Sequence, residues 1–292
     1  MPTVPIRTRL SVMSKQGLVP GDFVQIWKII QGLRKIKDAP VDLWGCDKVV
    51  DNRAPRDVLE FQVLVAAMLS SQTKDRCVKD AMDNLLRTDL SVGGVLAMTE
   101  EEIDEKIRSV GFHSTKSRNI RAVANIIREK HGGRVPPAFD DLIQFPGIGP
   151  KMANMIMACA FNEVTGITVD THVHRITKYL GWGCDHCKPE CKQPEHTRAV
   201  LQSWVPEPLW RDFTFLIVGL GQQSQSDRKL LLSRCMHQED PVASVRFLRR
   251  IKMNMNKFDL KQIAKEEGIT DELILNNFYI LWKIIRTVDT KL

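Results

Sequence analysis

Two residues whose types can do chemistry on a sugar lie on either side of one predicted helix, Lys151 and Asp170. Lys151 lies in the first turn of that helix, where the positive helix end disfavours the ammonium form. A neutral lysine amine is a nucleophile that forms Schiff bases. Asp170 could take a proton from that amine or stabilise a cationic sugar. The alternatives are a surface lysine that touches phosphate and an aspartate that serves only as a helix N-cap.

Lys151 follows a short turn that reads Phe-Pro-Gly-Ile-Gly-Pro. Gly147 and Gly149 permit positive φ and a close approach of the backbone to another molecule. The amides of the turn and of the next helix then point outward and, with the helix dipole, can bind a phosphate oxygen. With small Ala153 where two helices must pack, the pattern fits a helix-hairpin-helix that clamps a DNA backbone. The alternative is an ordinary Pro-Gly turn between helices.

Composition narrows the class of protein. A chain of 292 residues with 43% hydrophobic residues can bury one large core or two modest ones. The formal net charge of +7 is consistent with an acidic partner, and nucleic acid is the common one. No apolar run approaches the roughly 20 residues that a membrane span needs, so we expect no membrane partner. The seven cysteines are mostly not spaced as a disulfide framework, which favours a reducing compartment over secretion.

The elements that must position these residues are predicted to be helices. Asp22 can cap a helix whose apolar residues recur at helical spacing through Leu33. Residues 60–71 form a nearly continuous apolar run that is long enough for a buried helix, although a strand is the alternative. Thr99 and Glu102 form a capping-box pair. No stretch alternates as a sheet requires, so the fold class is all-α.

The first 21 residues carry Arg7, Arg9 and Lys15 with no acidic residue before Asp22. We interpret them as a flexible basic tail because prolines interrupt any amphipathic helix. The alternative is a weak mitochondrial presequence.

Three motifs carry a family resemblance. They read Ser-Ser-Gln-Thr-Lys-Asp at residues 70–75, Phe-Pro-Gly-Ile-Gly-Pro-Lys-Met-Ala at residues 145–153 and Val-Asp-Thr-His-Val-His-Arg at residues 169–175. With Asp-Ala-Pro-Val-Asp at residues 38–42, they closely resemble the endonuclease III family, in particular its eukaryotic bifunctional DNA glycosylase/AP lyases. The resemblance spans residues 22–223.

The resemblance implies a two-domain helix-hairpin-helix glycosylase fold with the DNA cleft between the domains. A six-helix barrel would span residues 51–163, with the helix-hairpin-helix at residues 142–154. The second helical domain would combine residues 22–50 and 164–240, and residues 241–292 would form a divergent helical tail. That tail could be a replacement docking element or a splice- or frame-altered end.

The resemblance also implies an activity and its residues. The family removes oxidised pyrimidines from double-stranded DNA through a lysine Schiff base and cleaves the strand at the abasic site by β-elimination. Lys151 matches the family's nucleophile, Asp170 its catalytic aspartate, and Gln72 the residue that fills the gap left by a flipped nucleotide. We expect a monomer that acts in the nucleus and also in the mitochondrion.

Further candidates for DNA contact come from the basic residues near these motifs. Lys116 and Arg118 lie in a basic stretch and are candidate phosphate contacts; a solvated loop is the alternative. His172 lies on the helix that Asp170 would start, and we include it among the DNA-binding residues. We reject a metal site at His172 and His174, because residues two apart point to different helix faces.

The chain departs from the family where the family's iron–sulfur cluster is bound. The family normally follows the Gly-Gln-Gln of residues 221–223 with four cysteines, whereas here Ser-Gln-Ser-Asp follows and Cys235 is the only cysteine downstream. Four thiolates cannot come from this segment, so we expect that no cofactor is required.

A second cysteine group has an unexpected spacing. Cys184, Cys187 and Cys191, with His186 between them, could bind zinc, with Cys235 as a possible fourth thiolate. The spacing lacks a second strong pair, and free thiols on a loop are the alternative.

Two other functions compete with the bifunctional enzyme. A monofunctional glycosylase of the same fold would lack a lysine at this position, so Lys151 argues against it. A catalytically impaired DNA-binding scaffold is compatible with the altered C-terminal segment, but the presence of both Lys151 and Asp170 argues against it.

Overall fold

The computed structural model describes residues 19–183 and 193–289, with side chains up to Leu281. Within these residues every regular element is helical, which confirms the predicted all-α fold class. In the same ranges, no helix is long and apolar enough to cross a membrane. The predicted N-terminal tail falls almost entirely outside the described residues.

In chain order the helices are α1 (Phe23–Leu33), α2 (Pro40–Trp44), α3 (Arg56–Leu69), α4 (Asp75–Leu85), α5 (Val92–Ala97), α6 (Glu100–Lys106), α7 (His113–Lys130), α8 (Phe139–Leu142), α9 (Pro150–Ala160), α10 (Thr171–Leu180), α11 (Pro194–Trp204), α12 (Trp210–Ser226), α13 (Arg228–Met236), α14 (Pro241–Arg250), α15 (Leu260–Glu266) and α16 (Glu272–Asp289).

The chain divides into two compact units. One unit is Pro40–Thr168, which we call the hairpin unit, and the other is formed by the chain before and after it, which we call the terminal unit. The family resemblance predicts boundaries after residues 50 and 163, and the observed boundaries lie after residues 39 and 168. They differ because Cys46 and Val49 are buried in the core of the hairpin unit, and because Thr165 donates a 2.7 Å hydrogen bond to Asn154 on α9.

Helix α3 runs through the core of the hairpin unit. Every residue of α3 from Phe61 to Leu69 is buried, so the apolar run is a buried helix and the alternative of a strand is wrong. Helices α7 and α9 both pack on α3, and α5 and α6 pack on α7. Burial of this much apolar surface is the main force that fixes α7 and α9, which carry candidate site residues.

The predicted capping box is present at the start of α6. The Thr99 hydroxyl accepts a 3.2 Å bond from the Glu102 N–H, and the Glu102 carboxylate accepts a 2.8 Å bond from the Thr99 N–H. Asp22 does begin α1, but its side chain does not cap that helix. Its carboxylate instead accepts hydrogen bonds from the Trp182 indole and from Arg250. The expected side-chain cap is therefore wrong, because tertiary donors hold the carboxylate.

The terminal unit is built around aromatic residues from α1, α11 and α12, together with Trp182, which follows α10. Phe23 lies 5.2 Å from Trp182 and 5.1 Å from Trp204 between ring centroids, and Trp27 stacks on Phe213. Edge-to-face and stacked pairs of this kind add to the stability gained by burial. They join the N-terminal helix to the part of the chain that follows the hairpin unit.

The segment predicted as a divergent tail is an integral part of the terminal unit. Leu248 and Ile251 at the end of α14, and Phe278 on α16, are fully buried. Helix α14 packs on α13 and α16, and α15 packs on α13 and α16. Residues 241–281 therefore contribute to the unit's hydrophobic core.

A buried charge network joins α1 to α12 and α13. Gln223 accepts a 2.9 Å hydrogen bond from Arg34 and donates a 2.8 Å bond to Asp38. Arg234 donates a 2.6 Å bond to the other oxygen of Asp38, and this hydrogen bond is the largest of the contacts that lower the pKa of the Asp38 carboxyl. One carboxylate thus compensates two guanidinium groups that are almost completely buried.

We expect Asp38→Asn to lower the free energy of unfolding by about 1–2 kcal/mol at neutral pH, because it leaves two buried cations without their anion. Because folding lowers the pKa of Asp38, the ionised carboxylate contributes its full stabilisation above the ordinary carboxyl pKa of 3.8. That stabilisation is lost as the pH falls through the lower pKa that Asp38 has in the folded protein. The difference between wild type and variant in chemical unfolding should therefore shrink below pH 3.8. A difference that stays constant to lower pH would contradict this assignment.

Candidate functional site

The predicted hairpin lies between α8 and α9. Gly147 has a φ of +83°, and the Ile148 N–H donates a 3.0 Å bond to the Phe145 carbonyl to close the turn. Gly149 is the N-cap residue of α9, and no side chain caps that helix. Pro150 at the first helical position has no N–H, so the donors left at this helix end are backbone amides around Lys151. An uncapped helix N-terminus of this kind is suited to bind a phosphate oxygen.

Lys151 is exposed in the first turn of α9, while Ala153 and Ile156 on the other side of the helix are buried. The helix is therefore fixed by its packing on α3, and the lysine side chain remains accessible. An accessible amine on a rigid helix end can reach a bound sugar.

Asp170 is the N-cap residue of α10. Its Oδ1 accepts a 2.8 Å hydrogen bond from the Val173 N–H. Asp170 therefore does serve as the N-cap of α10, as the alternative interpretation predicted. A carboxylate has about four acceptor sites on its two oxygens, so this single bond leaves capacity for a second role.

The residues after Asp170 are tied to α11 and α12. His172 is half-buried, and a side chain at Gly221 would come within 2.5 Å of its Cβ. His174 bonds Thr197 at 2.8 Å, and burial lowers the pKa of the His174 imidazole. Arg175 donates to the Gly221 carbonyl at 3.3 Å. The role of His172 in DNA binding stays a prediction, as does that of Arg118, which is exposed and lies 3.5 Å from Glu100.

Gln72 is exposed with a φ of +51°, a left-handed conformation that is uncommon outside glycine. It lies in a loop of residues 70–73, which follows α3 directly. The structure therefore presents this side chain to solvent at a rigid helix end.

Lys116 is not a phosphate contact, and the prediction for this residue is wrong. It is 6% exposed, and its ammonium donates hydrogen bonds of 2.7 Å to the Leu69 carbonyl, 2.7 Å to the Ser71 carbonyl and 3.0 Å to the Thr73 hydroxyl. Burial lowers the pKa of Lys116 to about 8. The Lys116 ammonium therefore binds acceptors inside the hairpin unit, beneath the loop that carries Gln72.

The predicted residues thus fall into two groups. Helix α7 contacts both candidate segments of the hairpin unit, since Lys116 holds the 70–73 loop and the Asn119 side chain lies beneath Gly147. Lys151 belongs to the same unit. Asp170 and His172 belong to the terminal unit.

Sequence reasoning overlooked Phe112. It is 63% exposed, has a φ of +58° and immediately precedes α7. An exposed aromatic ring on strained backbone is a candidate for stacking on a base. The signal was available in the sequence, since a phenylalanine follows Gly111 in a polar and basic stretch.

Comparison with known proteins assigns the family. Residues 65–207 match the family model described as HhH-GPD superfamily base excision DNA repair protein. The chain is 40% identical over 228 residues to Endonuclease III-like protein 1 of Gallus gallus, covering 78% of this chain and 80% of that protein. The chain belongs to the endonuclease III family. It is accordingly a DNA glycosylase of base excision repair.

Other members of the endonuclease III family show similar identity. Endonuclease III homolog of Schizosaccharomyces pombe is 39% identical over 214 residues, covering 72% of this chain and 58% of the relative. Endonuclease III homolog 1, chloroplastic, of Arabidopsis thaliana is 41% identical over 208 residues, covering 70% of this chain and 55% of the relative.

Solved endonuclease III structures have the same fold. A non-covalent endonuclease III–DNA complex aligns with a TM-score of 0.58 and 26% identity, covering 82% of this chain and all of that chain. A trapped endonuclease III–DNA covalent intermediate aligns with a TM-score of 0.55 and 27% identity, covering 69% of this chain and 85% of that one.

The endonuclease III iron–sulfur cluster does not fit the residues of α12 and α13. Ser224 donates its hydroxyl to the Gly221 carbonyl, and Cys235 is fully buried, so that burial raises the pKa of its thiol. Across residues 19–183 and 193–281, no three or more His, Cys, Asp or Glu side chains are grouped so that they could hold a metal ion. The zinc hypothesis concerns Cys184, Cys187 and Cys191, which lie outside the described residues.

Proposed function

We propose that this endonuclease III family member excises oxidised pyrimidines from double-stranded DNA and then cleaves the strand at the abasic site. The observation that carries the proposal is the accessible Lys151 amine, which lies directly beside the uncapped N-terminus of α9 and the glycine hairpin. Backbone amides that hold a phosphate and an amine that reaches the adjoining sugar are the two parts that this reaction needs.

The reaction starts when the damaged nucleotide is turned out of the stack, at a cost of a few kcal/mol that is smaller for a damaged base. Gln72, presented by the 70–73 loop, fills the gap. The Lys151 Nζ forms a bond to the sugar C1′, and the base leaves with the electrons of the glycosidic bond. Asp170 supports the amine and the developing sugar cation.

Strand cleavage follows from the same bond. Ring opening of the sugar gives a Schiff base between Lys151 and C1′, which acidifies the C2′ proton. Loss of that proton sends its electron pair toward C3′, and the 3′ phosphate departs. Hydrolysis of the Schiff base then frees the lysine.

The proposal also covers the oligomeric state, the cofactor and the cellular location of the enzyme. The enzyme acts as a monomer. It acts without an iron–sulfur cluster, which the single thiol of α13 supports, and zinc at the cysteine group around Cys187 is the alternative cofactor. It acts in the nucleus and in the mitochondrion; the eukaryotic relatives support the nuclear assignment.

The products formed on a duplex with one oxidised pyrimidine test this function. The bifunctional enzyme cleaves the labelled strand without added alkali and leaves the product of β-elimination. A monofunctional glycosylase releases the base but needs hot alkali for cleavage. A catalytically impaired scaffold binds the duplex and releases no base.

Two glycine variants separate folding of the hairpin from phosphate binding. Gly147→Ala should lower stability by about 1 kcal/mol or more, because the residue has positive φ and a methyl group would lie 2.6 Å from the Asn119 amide nitrogen. Gly149→Ala should change stability by less than about 0.5 kcal/mol, because its Cβ would meet no atom within 4 Å. It should still weaken duplex binding about tenfold, because the methyl group crowds the phosphate.

Thermal melting and fluorescence anisotropy on an undamaged duplex at fixed salt measure the two effects. Wild-type affinity in Gly149→Ala would show that this helix end does not receive a phosphate.

A further inference from the structure

The unexpected burial of Lys116 needs an explanation, because a lysine ammonium is rarely buried without a compensating role. Its ammonium donates to three acceptors in residues 69–73, all within three positions of Gln72. One of them is the carbonyl of Leu69, the last residue of α3, where a helix has no intrahelical donors left, and another is the Ser71 carbonyl just beyond that helix. A cation there is also favoured by the helix dipole.

Thr73 completes the arrangement. Its hydroxyl accepts from Lys116 and, at 3.2 Å, from the Gly111 N–H, and it donates to the Ser71 carbonyl at 3.1 Å. Gly111 approaches so closely that a Cβ would lie 2.9 Å from the Gln72 carbonyl oxygen. The loop is thus held on the residues both before and after Gln72.

We call the contacts of Lys116, Thr73 and Gly111 with residues 69–73 the clamp. The backbone conformation of Gln72 indicates why the clamp is needed. A non-glycine residue with left-handed backbone costs on the order of 1 kcal/mol and persists only where its surroundings enforce it. The side chain itself is exposed. The contacts therefore hold the backbone of Gln72 in place while its side chain remains available.

We propose that Lys116 and Thr73 are positioning residues that hold Gln72 ready for insertion into the DNA stack. This inference rests on the proposed function, because it assigns Gln72 to the gap left by the flipped nucleotide. A loop that is ordered before binding avoids the entropy cost of ordering it in the complex. Loss of the clamp should therefore impair the opening of a paired base and spare the later chemistry.

The variants are Lys116→Met, which removes the ammonium, and Thr73→Val, which removes the hydroxyl at nearly constant shape. Thr73→Ser keeps the hydroxyl and should restore function. Lys130→Met is the matched control, since it removes one exposed positive charge from the same helix, α7. Thermal melting establishes that each variant is folded, and Thr73→Val serves if Lys116→Met is not.

Single-turnover rates on two substrates separate positioning from chemistry. Lys116→Met and Thr73→Val should slow excision of a paired oxidised pyrimidine about tenfold, because pairs in contact couple by this order of energy. They should change cleavage of a preformed abasic site by less than about twofold, because no base has to be unstacked there. In a Gln72→Ala background the same changes should have no further effect on excision.

An equal loss on both substrates, or an effect that is undiminished in Gln72→Ala, would overturn the inference in favour of a purely structural role. Base opening is also measured without chemistry, from the fluorescence of 2-aminopurine beside the lesion when Lys151→Ala chains bind the duplex. Weaker fluorescence with Lys116→Met supports the clamp, and an unchanged signal contradicts it. This readout decides the inference even if the wild-type chain excises no base and the proposed function fails.

Discussion

Lys151→Ala should lower both base excision and strand cleavage by at least about a thousandfold, because removal of a covalent nucleophile eliminates the reaction path and not merely a contact. Lys151 is exposed on α9, whose buried face packs on α3, so the change should leave the fold intact. Single-turnover assays at saturating enzyme measure the chemical step, and a melting curve establishes that the chain is folded.

Lys151→Arg is the control that distinguishes a nucleophile from a phosphate contact. Arginine keeps the positive charge but is never deprotonated in proteins, so it cannot form a Schiff base. We expect Lys151→Arg to bind duplex DNA within about threefold of wild type while being as inactive as Lys151→Ala. Substantial activity in Lys151→Arg would show that the residue only contacts phosphate.

Asp170→Asn should lower excision by about a hundredfold or more with little change in stability, because the two roles of this residue depend on different properties. The cap at the start of α10 needs only an oxygen that accepts from the Val173 N–H, and asparagine is as good an N-cap as aspartate. Support of a cationic sugar needs the negative charge, which asparagine lacks. Single-turnover excision rates and chemical unfolding report the two properties separately.

Asp170→Ala provides the comparison. It removes both the charge and the cap, so it should lose activity as Asp170→Asn does and also about 1 kcal/mol of stability. If Asp170→Asn were fully active and only Asp170→Ala impaired, Asp170 would be an N-cap and nothing more.

The sequence predicted the elements that can be recognised from residues close together in the chain. The capping box of Thr99 and Glu102 needs only residues three apart, and the structure contains it. The buried helix α3 follows from an apolar run whose length favours a helix over a strand. The hairpin could be predicted because its glycines serve one short turn, and Gly147 has the positive φ that such a turn uses.

Lys116 shows what the sequence could not reveal. Its nearest neighbours in the chain are polar or basic, so the sequence alone predicts a phosphate contact, with a solvated loop as the alternative. Its acceptors lie 43 to 47 residues earlier, at the end of α3, and only the packing of α7 on α3 brings them together. Asp22 is a similar case, because its carboxylate partners lie 160 and 228 residues later.

The C-terminal segment could be predicted as helical but not placed. The apolar spacing of residues 247–281 indicated helices, yet no local signal indicated which core they would join. In the structure they pack on α13, whose Arg234 compensates Asp38 near the end of α1. Long-range packing of this kind depends on the whole unit. The contribution of the Arg234–Asp38 contact to stability can be tested with the Asp38→Asn variant.

Trapping with borohydride tests the central claim most directly, on a duplex that carries one oxidised pyrimidine. Reduction of the Schiff base should give a stable protein–DNA adduct, and mass analysis of its peptides should locate the sugar remnant on Lys151. The Asp170→Asn chain should give much less adduct, and the Lys151→Ala chain should give none. An adduct on another lysine, or base release without any adduct from the wild-type chain, would contradict the assignment of Lys151 as the nucleophile.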